Sequence, residues 1–253
     1  MTTVKDIYDN IDSFAPFDTA EEWDNAGLLV GDGNAGVTKV LLSLDITNGV
    51  VEEAKECGAQ LIISHHPIIF GSGLKRLAAS SPVYRAAAYG VACICAHTNL
   101  DKSPVFGVNT VLAEAAGLQN CRVSEKNEIL FLADTPEKCS PEELAAQIKQ
   151  RMGLCGVAFT RSGGDVGKVG ICSGGGGSEI YSAAAEGCSA FITGEIKHHE
   201  LVFANENGVS TFILGHYASE DVVLEPLGQR LHSAFPEVSF IKSSVFTDGM
   251  GVI

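Results

Sequence analysis

The chain has 253 residues, of which 45% are hydrophobic and 19% are charged, and its formal net charge is −14. This length and composition suit a globular protein with a sizeable core and one or two domains. The acidic balance and the absence of a Lys/Arg cluster argue against a nucleic-acid interface, which depends on basic side chains. An acidic chain does suit the binding of cations.

The sequence predicts neither a leader peptide nor a membrane span. Its start, MTTVKDIYDNIDSFAP, lacks the basic and apolar regions of a signal peptide. No apolar run approaches the roughly 20 residues of a transmembrane helix. The eight cysteines include no C-x-x-C pair and are scattered through core-like segments. We therefore expect reduced thiols and a cytoplasmic protein, and neither a disulfide framework nor a zinc ribbon.

From Lys39 the chain reads as strand, helix, strand, helix and strand. The predicted strands are 40–46, 59–64 and 91–96, and the predicted helices are 48–58 and 81–90. Mostly apolar strands that alternate with helical patterns indicate parallel βαβ units.

The same order of elements returns from Lys168. The predicted strands are 168–172, 188–193 and 209–214, and the predicted helices are 178–187 and 197–208. Lys39 and Lys168 are 129 positions apart, and so are the helix-ending Gly58 and Gly187. This equal spacing favours a duplicated βαβαβ unit.

The predicted fold is therefore α/β, with two similar three-layer βαβ-type lobes that arose by internal duplication. We place the N-terminal lobe at residues 1–123 and the C-terminal lobe at 124–253. Within the second lobe, residues 128–163 read as strand, capped helix and strand. We expect this segment to connect the two lobes.

Two adjacent histidines interrupt the apolar stretch LIISHHPIIF at residues 61–70. Consecutive side chains on an extended backbone point in opposite directions, so His65 and His66 would each face a different ion. Pro67 has no N–H and favours extended geometry at His66, which fits a strand that breaks into a site loop. Ligands of open α/β sheets gather beyond the carboxyl ends of the strands, where both histidines lie.

Further ligand-type residues follow the other predicted strands. Asp101 ends the motif HTNLD after the third strand. His216 and Glu220 in GHYASEDVV are four residues apart and would share one face of a helix, where the carboxylate could bridge two cations. Imidazoles and carboxylates together suit zinc, iron, cobalt or manganese. The residues alone leave two alternatives open, a metal site and a set of separately buried histidines.

The motifs SHHPIIF, AHTNLD, TGEIKHH and GHYASE, preceded by EEWDNAGLLVG at 21–31, closely resemble those of the Nif-three-like family. Its members are dinuclear metal-centre proteins, often labelled GTP cyclohydrolase I type 2 homologues. The resemblance covers nearly the whole chain and implies two divalent ions between the lobes and a ring-like homohexamer. It also implies the compact form of the family, without an inserted domain. The ligands that the family motifs assign here are His65, His66, Asp101, His216 and Glu220.

Other residues near these motifs carry weaker predictions. His97 could donate a hydrogen bond to a metal ligand, contact the substrate or shuttle a proton in catalysis, or could simply pack at the end of a strand. His198 and His199 could reach the site, although a solvated helix start is the simpler interpretation. The glycine-rich stretch 173–178 could cradle phosphate or form a tight turn. Trp23, Asp24 and Asn25, with Gly27, could line a site entrance, but a capped turn that holds a buried Trp is our expectation. His232 is expected at the surface.

Two functions from different classes are consistent with these motifs and candidate residues. The first is a metal-dependent hydrolase that acts on a nucleotide-like or phosphorylated small molecule, with water activated by the ions as the nucleophile. The second is a non-enzymatic protein that stores or delivers metal, or a scaffold. Cyclohydrolase activity is implied by the resemblance alone, because no guanine-reading motif stands out. We expect no direct nucleic-acid or membrane partner.

Overall fold

The computed structural model of the chain describes residues 1–71 and 76–249. The chain divides into two compact units, each with its own sheet. The first unit contains Met1–Val105 and Leu224–Thr247, and the second contains Phe106–Val223 with the residues from Asp248 onward. The predicted α/β class with two sheets is confirmed.

The first unit is built around a sheet of five strands. These strands are β1 (Gly27–Val30), β2 (Lys39–Ser43), β3 (Leu61–Ser64), β4 (Ala92–Cys95) and β11 (Ser239–Lys242). Their order in the sheet is β1-β4-β3-β2-β11. All neighbours are parallel except β1, which runs antiparallel to β4. The helices of this unit are α1 (Val4–Asp12), α2 (Asn48–Cys57), α3 (Pro82–Tyr89), α4 (Thr98–Lys102) and α10 (Leu224–Ala234), and a 3-10 turn covers Phe17–Thr19.

Helices cover both faces of this first sheet. Leu41 and Ile62 point to one face, where they share a buried cluster with α2 and α3. Leu42, one residue further along β2, points to the other face and lies against Gly228 of α10. Because successive residues of a strand alternate between faces, a strand buried on both sides reads as a continuous apolar run. The first unit therefore has the predicted three layers.

The second unit is built around a sheet of six strands. These strands are β5 (Gln119–Ser124), β6 (Asn127–Cys139), β7 (Ala158–Phe159), β8 (Val166–Cys172), β9 (Ala190–Thr193) and β10 (Ser210–Ile213). Their order is β5-β6-β8-β9-β10-β7, with β8, β9 and β10 parallel. The helices are α5 (Val108–Ala115), α6 (Pro141–Met152), α7 (Ile180–Ala185), α8 (His198–Glu206) and α9 (His216–Asp221), and a 3-10 turn covers Gly176–Glu179.

This second sheet is also covered on both faces. Phe131 of β6 packs in a cluster with residues of α5 and α6. Its neighbour Leu130 packs on the opposite face with residues of α7 and α8. No helix in the described parts of the chain has the length and apolar character that crossing a bilayer requires.

The register of the two sheets supports the predicted duplication. In the first sheet Val40 pairs with Leu61, and in the second Val169 pairs with Ala190. Each residue of the second pair lies 129 positions after its counterpart in the first. An antiparallel strand borders the third parallel strand in both sheets, β1 beside β4 and β7 beside β10.

The ends of the first repeat helices are also equivalent in detail. Lys39 Nζ donates to the carbonyl of Cys57 at 2.6 Å, and Lys168 Nζ donates to the carbonyl of Glu186 at 2.6 Å. Both lysines therefore satisfy a carbonyl at a helix C-terminus, where a cation is favoured by the helix dipole. The glycine that follows each helix is left-handed, with φ of 72° and 73°. Local side-chain chemistry, and not only topology, repeats at the 129-residue interval.

Two features of the organisation differ from the sequence-based expectation. Residues 128–163 are not merely a connection, since β6 pairs with β8 and β7 pairs with β10 within the second sheet. The boundary expected after residue 123 is also replaced by a division after Val105, and 224–247 returns to the first unit. The physical reason is that β11 pairs with β2, a backbone contact that no side-chain pattern specifies.

Candidate functional site

His65 is the buried residue that directly follows β3. Its ring Nδ1 lies 2.9 Å from the carbonyl oxygen of Ala96, at the end of the neighbouring β4. A carbonyl only accepts hydrogen bonds, so Nδ1 carries a proton, and in the neutral tautomer that this contact selects the lone pair lies at Nε2. That Nε2 lies 3.6 Å from Oδ1 of Asp101. The structure therefore brings together His65 and Asp101, two of the predicted site residues, in the first unit.

The chemistry of this donor pair fits a divalent cation. An unprotonated imidazole nitrogen and a carboxylate oxygen both present electron pairs, and His65 Nε2 and Asp101 Oδ1 are 3.6 Å apart. Zinc binds each type of donor at about 2.0–2.2 Å, so one ion can contact both atoms at this separation. Both residues are buried, which keeps their positions fixed.

His66 is held in a similar way by a different acceptor. Its Nδ1 lies 3.0 Å from Oδ2 of Asp45, which follows β2. The hydroxyl of Ser64 donates to the backbone carbonyl of His66 at 2.7 Å and shapes the turn after β3. Ring nitrogens of His65, His66 and His97 all lie within 4.8 Å of one another. The structure thus brings three of the predicted histidines together.

His97 begins α4 and is anchored by Asp24. Its Nδ1 lies 2.8 Å from Oδ1 of Asp24, and Oδ2 of the same carboxylate accepts from the backbone N–H and the hydroxyl of Thr98. Burial alone would raise the pKa of Asp24, but the hydrogen bonds from His97 and Thr98 outweigh it and hold that pKa well below its usual range. Asp24 is therefore an ionised carboxylate that fixes the ring of His97.

Trp23 lies at the surface beside His97, whereas the sequence led us to expect a Trp that is buried in a capped turn. Its side chain is 58% exposed. The indole meets the ring of His97 edge to face, with centroids 5.9 Å apart, and meets Phe70 in the same way at 6.2 Å. The expectation was wrong because the turn buries Asp24, whose polar contacts fix the loop, and leaves the neighbouring Trp outside.

In the second unit, His216 and Glu220 share one face of α9, as their spacing predicts. His216 Nε2 lies 3.1 Å from Oε2 of Glu220. On the other side of the ring, Nδ1 lies 3.2 Å from Oε1 of Glu195, which follows β9. Glu220 is buried, whereas Glu195 is mostly exposed. The arrangement repeats that of His66, with a carboxylate on Nδ1 and Nε2 turned to a potential ligand position.

The glycine-rich stretch 173–178 packs directly against this face. A Cβ atom on Gly174 would lie 1.9 Å from Oε1 of Glu220, and one on Gly177 would lie 2.5 Å from the carbonyl oxygen of Glu195. Real Cβ atoms do not approach other atoms so closely. Gly174 and Gly177 are therefore required by close packing, which favours the tight-turn alternative.

The chain is similar to known proteins over nearly its whole length. The model of the Duf34/NIF3 family (NGG1p interacting factor 3) matches residues 2–249. The chain belongs to the Duf34/NIF3 family. This confirms the resemblance that the sequence motifs carried.

Relatives of this Duf34/NIF3 member are known from several bacteria. The chain is 32% identical to a GTP cyclohydrolase 1 type 2 homolog of Campylobacter jejuni, over 86% of this chain and 87% of that protein. It is 30% identical to a protein of the same name from Clostridium perfringens, over 97% of each. The crystal structure of a hypothetical protein of Staphylococcus aureus matches with a TM-score of 0.89 and 30% identity, over 99% of each chain.

In this Duf34/NIF3 member the carboxylates that orient the histidines were not predicted in that role from the sequence. Asp45 and Glu195 each lie two residues beyond the end of a parallel strand, and Asp24 lies in the loop before β1. Their position after a strand was the available signal for the first two. Nothing in the sequence pairs Asp24 with His97, because the two residues are brought together only by the tertiary fold.

The remaining histidines lie in less specific settings. His199 is in the first turn of α8, with a side chain that is 67% exposed, as expected for a solvated helix start. His198 is also exposed. His232 is exposed near the end of α10, and its Nδ1 donates to the carbonyl of Val238 at 3.1 Å. This agrees with the predicted surface position of His232.

Proposed function

We propose that this protein binds two divalent metal ions and acts as a metal-dependent hydrolase on a nucleotide-like or phosphorylated small molecule. The proposed ligands are His65, His66, Asp101, His216 and Glu220. The observation that carries this proposal is common to the three histidines among them. In each, an oxygen atom holds Nδ1, which leaves Nε2 as the electron-pair donor. Such partners fix the tautomer and ring orientation of metal-binding histidines.

The donor set limits the identity of the ions. Imidazole and carboxylate donors suit zinc, iron, manganese and cobalt better than calcium or magnesium. Divalent ions in such a site would polarise a substrate oxygen and lower the pKa of a water molecule. The five proposed ligands are fewer than two ions require, so coordination positions would stay open to water or substrate.

His97 is the residue that we propose to move protons in this reaction. Its Nδ1–H is directed to the ionised carboxylate of Asp24, and the carboxylate is fixed in turn by Thr98. Because Nδ1 is held by a carboxylate, Nε2 is the ring nitrogen left to accept a proton and later return it. The rings of His65 and His66 lie 5.1 and 5.5 Å from that of His97. His97 is thus close enough to act on a group held by the proposed ligands.

The substrate class is proposed from the relatives. Those from Campylobacter jejuni and Clostridium perfringens bear the name GTP cyclohydrolase 1 type 2 homolog. Metal delivery is the second candidate function, and the 37% exposure of the His216 side chain favours it, because an exposed ligand allows exchange. Stoichiometric transfer of bound zinc to a chelator without turnover of any nucleotide would favour delivery over hydrolysis.

Metal content of two carboxylate variants tests the proposed site. If Glu220 bridges both ions, Glu220→Gln replaces a bridging carboxylate by a neutral amide, and both ions lose a ligand. Asp101→Asn should weaken mainly one ion, because its carboxylate is expected to be terminal. Elemental analysis after gel filtration should give nearly zero metals per subunit for Glu220→Gln and nearer one for Asp101→Asn. Glu206→Gln, an exposed glutamate at the end of α8, is the matched control and should retain two.

The outcomes separate the parts of this proposal. Two metals in both carboxylate variants would contradict the dinuclear assignment. Loss of both ions in Asp101→Asn with loss of one in Glu220→Gln would keep the site but exchange the roles of the two carboxylates.

We also propose a closed homohexamer in the cytoplasm. The hexamer rests on the family resemblance, and closed symmetric assemblies are the usual form of protein oligomers. The cytoplasmic location is supported by the eight cysteines, all of which are thiols in the structure.

A further inference from the structure

Two large aromatic side chains are exposed next to the histidine cluster of the first unit. Trp23 is 58% exposed and Phe70 is 61% exposed. The rings of Trp23, Phe70 and His97 meet one another edge to face, with centroids 5.9 to 6.4 Å apart and interplanar angles of 71° to 79°. These steep interplanar angles show that none of the three rings is stacked face to face on another.

The segments that carry these rings are fixed by polar contacts. Asn25 Nδ2 donates to the carbonyl oxygen of Ile69 at 2.8 Å, which ties the residues after Trp23 to the residue before Phe70. Asp24 accepts hydrogen bonds from His97 Nδ1 and from the backbone N–H of Thr98. Trp23 therefore precedes two anchored residues. These anchored neighbours limit the conformational freedom that the loop would lose when a ligand binds.

We propose that Trp23 and Phe70 form an aromatic platform for the planar heteroaromatic ring of the small molecule on which the site acts, which would stack on the indole of Trp23 and meet the steeply inclined ring of Phe70 through an edge. This inference rests on the proposed function and names the part of the substrate that these residues would recognise. Heteroaromatic rings stack on aromatic side chains through their faces. A ring on this platform would lie beside His97, the residue proposed to move protons. Aromatic contacts do not distinguish the hydrogen-bonding groups of different bases. The platform should therefore bind different bases with similar affinity.

The exposed area of the platform favours a small molecule over a second protein surface. Side chains of this size bury roughly 150–250 Å² each, so the exposed parts of Trp23 and Phe70 total on the order of 250 Å². A stable protein interface needs about 800 Å² from each partner. One planar ring, in contrast, is matched to two side chains.

Trp23 is the only tryptophan in the chain, which makes it a direct reporter of its own contact. Guanosine is a suitable probe because it carries the ring but no phosphate, and ribose is the control that lacks the ring. Guanosine should quench the fluorescence of Trp23 saturably in the full-length protein, and ribose should not. Adenosine should bind within about tenfold of guanosine, since the recognition is by stacking.

Variants connect this quenching to the platform. Phe70→Ala keeps the reporter and should raise the apparent Kd for guanosine at least about twofold, which is the lower end of the effect of losing one edge-to-face aromatic contact. Tyr84→Ala removes an exposed aromatic ring of α3 in the same unit and should leave the Kd unchanged. Trp23→Leu, followed by equilibrium dialysis of labelled guanosine, should weaken binding at least as much as Phe70→Ala.

The measurement separates this inference from the proposed metal function. Quenching is recorded on zinc-loaded protein and on protein treated with chelator, with metal content measured on both. Saturable quenching in both forms supports the platform even if no hydrolysis is found. Quenching that is linear in guanosine, as for free tryptophan amide, would overturn it. So would an unchanged Kd in Phe70→Ala, or emission that shifts with protein concentration alone, which would show that a second copy of the chain covers Trp23.

Discussion

Substitution of Gly174 by Ala should disable Glu220 without a change in any proposed ligand. Gly174 follows β8, and its N–H donates to the hydroxyl of Ser219 at 3.0 Å, which holds the loop against α9. A Cβ atom at this position would lie 1.9 Å from Oε1 and 2.9 Å from Cδ of Glu220. Rotation of the carboxylate cannot relieve both contacts, because the Cδ atom itself is too close.

The required displacement sets the size of the effect. Real Cβ atoms essentially never approach within 3.0 Å, so Oε1 of Glu220 must move by at least about 1.1 Å. Metal–ligand distances tolerate only about 0.2 Å, so the shifted carboxylate is lost as a ligand. We expect zinc affinity to fall at least about a hundredfold. The left-handed φ of 54° at Gly174 adds a folding cost of about 1–2 kcal/mol for alanine.

Gly175→Ala is the matched control, because it makes the same change one residue away. Gly175 has a φ of −79°, and a Cβ atom there meets no other atom within 4 Å. Zinc titration by calorimetry should show wild-type affinity for Gly175→Ala and strong loss for Gly174→Ala. In chelator, the Tm of Gly174→Ala should lie about 2–8 °C below that of the wild type. A cooperative thermal transition would show that the variant folds. Unchanged zinc affinity in folded Gly174→Ala would refute the reasoning that Glu220 is a ligand held by this loop.

Three further predictions follow from the structure. Lys39→Met and Lys168→Met each remove an equivalent hydrogen bond to a carbonyl at a helix end. Each should lower the free energy of unfolding, measured by denaturant titration, by about 1 kcal/mol. A large difference between the two variants would argue against the equivalence. Burial raises the pKa of Cys93 to about 12 and of Cys188 to about 11, so at pH 8 only about one in a thousand or fewer of these thiols is ionised. Ellman's reagent should therefore modify the exposed Cys155 first, and Cys155→Ser should remove this fast phase, whereas fast labelling that persists would contradict the assignment. Light scattering of metal-loaded protein should report six copies, and a monomer at micromolar concentration would exclude the hexamer.

Much of the fold was accessible from the sequence because its signals are local. The helix predicted at 48–58 is present as α2, with the side chain of Thr47 accepting from the backbone at its start and the left-handed Gly58 at its end. The strands before and after it were visible as apolar runs, since strands buried on both faces show no polar alternation. The repeat at 129 positions was visible for the same reason. It preserved a lysine in the first parallel strand and a glycine after the first helix of each repeat.

Part of the candidate site was accessible in the same way. His216 and Glu220 are four residues apart, and helical geometry alone places them together. His65 and Asp101 follow neighbouring parallel strands, and such strand ends meet at one edge of a sheet. Their 3.6 Å separation agrees with that expectation.

Only the tertiary structure decided the contacts between segments that are far apart in the chain. The pairing of β11 with β2, the hydrogen bond from His97 to Asp24 and the exposure of Trp23 are of this kind. Strand pairing uses backbone groups that every residue shares, so composition does not specify the partner. A charged side chain in a loop likewise gives no sign of whether it will meet a distant histidine or water. Local periodicity therefore determined the elements and the helical ligand pair, while the packing of distant segments determined the sheet partners, the orientation of the histidines and the exposed rings.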